Sequence, residues 1–112
     1  MGILQYTNDG VFDPNAISVT VGSSPIEVAA TIGMTPDEMH RNAATAQKKL
    51  RELSEVLNKV SPRFGSGRIA FAWLRSEPLS GFGGLTAMQL LKRGKIEELL
   101  DFIDSVDAGV HA

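Results

Sequence analysis

Between Ala43 and Val60, six apolar residues recur at alternating intervals of three and four: Ala43, Ala46, Leu50, Leu53, Leu57 and Val60. On a helix, side chains at these intervals stack along one face, whereas on a strand they would scatter over both. Lys48, Lys49, Arg51, Glu52, Glu55 and Lys59 fill the positions between, so the rest of the circumference is expected to be wet. A helix with one narrow apolar seam must cover it, either inside a bundle or against its own copy in a dimer. The chain is therefore read as all-α, a small helical bundle. Ser61-Pro62 is expected to end the seam helix, because the residue before a proline is pushed out of the helical region.

Upstream, proline punctuates the chain at helix-start positions. Asp13-Pro14, Ser24-Pro25 and Thr35-Pro36 each read as an N-cap followed by proline at the first helical position. Glu38, three residues after Thr35, completes a capping box, and Gly33 sits where the preceding helix would end. Residues 15–22 are ambiguous: Ile17, Val19 and Val21 alternate like a strand, although the cap favours a helix. Residues 1–12, with the turn signal Asn8-Asp9-Gly10, are expected to form an arm with little structure of its own.

Two helices joined near Gly33 read as a helix-turn-helix-like region over residues 13–46. Val28, Ala29, Ile32 and Met39 would face inward, and Asp37, His40, Arg41 and Ala44 outward. Thr35, His40, Arg41 and Lys48 are then the candidate DNA-binding residues. Asn42, at a place that usually takes an apolar anchor, and the acidic start of the second helix equally suit two helices merely packed in a bundle.

From Gly65 onward the signals are definite. The run Ile69-Ala70-Phe71-Ala72-Trp73-Leu74 is apolar nearly all round, which predicts a short helix buried between others, with Trp73 in the core. Gly81-Phe82-Gly83-Gly84 lacks the strand before it and the Lys-Ser or Lys-Thr after it that a phosphate loop requires, so the glycines are read as a sharp turn. Thr86 caps a helix carrying Met88, Leu90 and Leu91 that closes at Gly94. A last helix then buries Ile96, Leu99, Leu100, Ile103 and Val106. Its acidic row, Asp101, Asp104 and Asp107, is read as a solvated face and not as a metal site.

Other chemistry is narrowed by what the 112 residues contain. There is no cysteine, so no disulfide framework; the net charge of −2 argues against a general nucleic-acid coat. His40 and His111 belong to no metal motif or nucleophile-base set, and no nucleotide fingerprint occurs. The expectation is a binding protein, not an enzyme, with no cofactor. The N-terminus lacks a secretory pattern and no apolar stretch approaches the roughly 20 residues of a membrane span, so the protein is expected to be cytoplasmic and off the membrane.

The residues Trp73-Leu74-Arg75, the Pro78-to-Gly84 turn, Thr86 with Leu90-Leu91, Gly94, the Ile96/Leu99/Leu100/Ile103 stripe and Gly109-Val110-His111-Ala112 occur in an order that resembles the toxin-binding domain of the Xre/MbcA/ParS antitoxins. The likeness covers about residues 45–112; Ala87 departs from it, standing where that family usually has proline. It implies a toxin-binding helical domain over residues 47–112 and a partner toxin of the RES fold that degrades NAD⁺. A homodimer, or a hetero-oligomer with the toxin, is expected, and the likeness also implies binding of operator DNA. By the same resemblance, Gly109, Val110, His111 and Ala112 would plug the toxin's active site, and Gly81, Phe82, Gly84 and Leu85 would support the interface.

Overall fold

The computed structural model of the protein describes residues 7–8 and 11–109, with side chains described as far as Val106. Among the described residues, two short strands, β1 (Thr7–Asn8) and β2 (Val11–Phe12), precede seven helices: α1 (Pro14–Val21), α2 (Pro25–Thr31), α3 (Pro36–Arg41), α4 (Ala43–Phe64), α5 (Gly67–Ser76), α6 (Ala87–Lys92) and α7 (Ile96–Gly109). The all-α reading holds.

Local caps set most of the helix starts. The side chains of Asp13, Ser24, Thr35, Ser66 and Thr86 each accept a hydrogen bond from a backbone N–H in the first turn of the helix that follows. Thr35 and Thr86 form full capping boxes, with Glu38 and Gln89 reaching back to the cap's own N–H. The ambiguity over residues 15–22 resolves as helix α1. A strand would put Ile17, Val19 and Val21 on one face, but Ile17 and Val21 are buried while Val19 is 81% exposed. The helical period, together with the Asp13 cap and Pro14, overrides β-branched propensity.

Helix α4 is the centre of the molecule. Leu50, Leu53, Val56, Leu57 and Val60 are all buried, and α3, α5, α6, α7 and β2 pack around them. The buried face is wider than the seam seen in the sequence. Val56 and Ser54 lie inside, with the Ser54 hydroxyl donating to the Leu50 carbonyl at 2.8 Å, while Ala43 is exposed. Because this face is covered within one chain, it is not available to a second copy. The helix also runs through Pro62 to Phe64, past the expected stop at Ser61. Proline removes the N–H that would have bonded Asn58, but Asn58 is exposed and water can take its carbonyl. Gly65, in the left-handed conformation, terminates the helix instead.

Three further expectations are corrected. Helix α5 is not buried all round: Ala70, Phe71 and Leu74 face the core, while Ile69 is 51% exposed and Ala72 is exposed. Trp73 is only half-buried, its ring 5.6 Å from that of Phe64, so it flanks the core. Val106 on α7 is also exposed. Within the stretch expected to be an arm, the described residues Thr7 and Phe12, and Asn8 and Val11, pair antiparallel.

Neither α1 nor α2 has a basic residue in its own last turn, yet both C-termini meet a cationic side chain from the other half of the chain. The Arg68 guanidinium lies over Gly22, where a β-carbon would come within 2.7 Å of its Nε; the Lys92 stem lies over Gly33, where a β-carbon would come within 3.4 Å of its Cγ. At α1 it is the charged group of Arg68 that makes the approach, and a cation there is favourable against the partial negative charge of the helix C-terminus.

Leu53→Ala is expected to cost about 2–5 kcal/mol, the range for a fully buried leucine, and Trp73→Ala less than the roughly 3–5 kcal/mol of a buried tryptophan. Urea denaturation measures both. Gly22→Ala should destabilise more than Gly65→Ala, because both have positive φ but only Gly22 has a side chain packed against it.

Candidate functional site

The turn from Pro78 to Thr86 is built by its own backbone. The Leu79 N–H donates to the Leu85 carbonyl at 2.9 Å, and Pro78 and Thr86 form a bridge that closes the loop. Gly81, Gly83 and Gly84 all have positive φ, and a β-carbon at any of them would meet nothing within 4 Å. Glycine is needed there for backbone conformation, not for space. Leu79 is buried and anchors the turn; Leu85 and Phe82 are half-buried. The Phe82 ring stands edge-on to Phe102 of α7, with centroids 5.5 Å apart and planes at 83°. This contact joins the turn to the last helix, so Gly81, Phe82, Gly84 and Leu85 share a region with α7. Of the other residues in the candidate toxin-binding set, Val110, His111 and Ala112 lie outside the described residues, and Gly109 is described only as the last residue of α7.

The second candidate set spans α3 and the start of α4. His40, Arg41 and Lys48 are exposed. Thr35 is also exposed, but its hydroxyl oxygen already accepts the Glu38 N–H at 3.1 Å while its own N–H donates to Glu38 Oε1 at 2.9 Å. The Thr35 backbone N–H, then the Thr35 hydroxyl, and Arg41 hold the Glu38 carboxyl below its ordinary value of 4.5. Negative charge is thus retained in the first turn of α3.

A groove of about 250 Å³ opens beside this set, and the sequence reading missed it. Pro14, Pro25 and Pro36, each at the first position of its helix, border it with Met39, His40 and Gln47. The only trace of it in the sequence is the even 11-residue spacing of the three prolines. Nothing local says that three helix starts and α4 converge. Gln47 does a second job, bonding the backbone of Phe12 from 35 residues away.

In the acidic row, Asp104 pairs with Lys59 at 2.7 Å. Among the described residues, no three His, Asp or Glu side chains gather in a way that could hold a metal ion, and no helix is long and apolar enough to cross a membrane. Compared with protein-family models, curated proteins and solved structures, the chain matches none.

Because its pKa is lowered on folding, Glu38 contributes stability that is present above about 4.5 and lost as pH falls through the folded value. Glu38→Gln keeps a capping-box partner that does not titrate. Its melting temperature should therefore fall less steeply than that of the wild type on acidification below 4.5, as followed by circular dichroism.

Proposed function

We propose that this chain is an antitoxin that binds a RES-type, NAD⁺-degrading toxin, blocks its active site with residues 109–112 and catalyses no reaction itself. The observation that carries the reading is the ordered run of unlike signals from Trp73 to Ala112 that resembles the toxin-binding domain of the Xre/MbcA/ParS antitoxins. The Phe82–Phe102 contact supports it, because a turn fastened to α7 can meet the same partner surface that a segment following α7 would enter. A short segment after a 14-residue helix costs little to order, and a glycine at the junction permits a bend. In this reading the protein acts in the cytoplasm, alone as a homodimer or in a hetero-oligomer with its toxin.

A second reading, a DNA-binding helix-turn-helix regulator, draws on the exposure of His40, Arg41 and Lys48 along α3 and α4. In the antitoxin reading the same face would serve promoter autoregulation. Asp37 and Glu38 at the start of α3 weigh against close approach of phosphate.

Deletion of Gly109 to Ala112 should leave helicity and melting temperature nearly unchanged and abolish protection against the toxin. The test is capture of the partner from the native lysate with the full-length and shortened chains, followed by an assay of NAD⁺ consumption by the freed partner. A shortened chain that still suppresses NAD⁺ loss removes the blocking role. If the second reading holds, Arg41→Ala and Lys48→Ala will weaken operator binding and lessen its salt dependence in fluorescence anisotropy.

A further inference from the structure

We propose that β2 is a latched strap, held on α4 by the Gln47 carboxamide, which opens as a local unit while the helical bundle stays folded. The Phe12 N–H donates to Gln47 Oε1 at 2.9 Å, and Gln47 Nε2 donates to the Phe12 carbonyl at 2.7 Å. One side-chain amide thus satisfies both backbone groups of a strand residue, as a peptide on a neighbouring strand would. A two-residue strand paired to another of two residues is marginal by itself in water, so its order depends on this attachment and on the seat of Phe12.

That seat is shallow. Phe12 packs against the core from a half-buried position and Val11 is 51% exposed, whereas the residues that close the core belong to the helices and to Leu79. Opening β2 therefore removes no fully buried side chain. Gln47 also lines the groove at the starts of α1 to α4, so release of Phe12 frees the Gln47 carboxamide, which is part of that groove's wall. The strap is a device that changes whether the Gln47 amide in this groove is occupied, without unfolding the bundle.

Amide hydrogen exchange tests the latch on the full chain. In the wild type, the Phe12 amide should exchange through an opening much less sensitive to low urea than the opening that exposes Leu53 and Leu57. In Gln47→Ala, loss of two hydrogen bonds should lower protection at Phe12 roughly ten- to hundredfold, with Leu53 and Leu57 unchanged. Gln47→Glu keeps an acceptor for the Phe12 N–H but, when ionised, cannot donate to the carbonyl. Its protection factor at neutral pH should fall between the other two, then recover as the carboxyl is protonated. Unchanged exchange at Phe12 in Gln47→Ala would overturn the latch. Equal acceleration at Phe12, Leu53 and Leu57, or equal urea dependence of all three in the wild type, would overturn local opening.

Discussion

The burial of α4 is the constraint from which the rest of the molecule follows. A helix with Leu50, Leu53, Val56, Leu57 and Val60 in contact with water would forfeit about 1.5–3 kcal/mol for each large side chain, so the chain must wrap it on several sides. Helices α3, α5, α6 and α7 and strand β2 do so. Because α4 runs from Ala43 to Phe64, the elements on either side of it share one hydrophobic cluster, from Ile17 in α1 to Ile103 in α7.

Around that axis, helix ends are handled in two ways. N-termini are satisfied locally, by a serine, threonine or aspartate whose oxygen reaches an N–H two or three residues on. The C-termini of α1 and α2 end at glycines and gain Arg68 and Lys92 from distant helices. Those contacts fasten the first two helices to the later ones, beside the apolar core. Arg75 adds a similar tie, pairing with Glu27 at 3.7 Å while lying 5.2 Å over the Phe71 ring. Such an exposed ion pair contributes little by itself, so the core remains the main source of cohesion.

Two regions of the surface have a shape that binding can use, and they lie on different elements. One joins the 78–86 turn to α7 through Phe82 and Phe102; the other is the groove where α1 to α4 begin, edged by His40 and Gln47. The first bears on the proposed toxin interface and the second on the strap. Keeping them apart matters physically, since a change at Gln47 acts on β2 and the groove without touching the turn.

The sequence by itself determined the helical class, the caps, the glycine turn and most of the buried face of α4, because each depends on residues within about one or two turns of one another. Only the tertiary structure decided that α1 is helical against its β-branched residues, since Val19 could be spared burial once Ile17 and Val21 had a core to enter. It decided in the same way that Trp73 flanks the core, that α4 passes through Pro62, and that Gln47 holds Phe12. Each of these depends on a neighbour far away in the chain or on where water remains; for α1 the Asp13 cap leans the same way, but no local pattern settles any of them. The groove is the clearest case: its three prolines can be read one by one as helix starts, but their meeting is a property of packing alone.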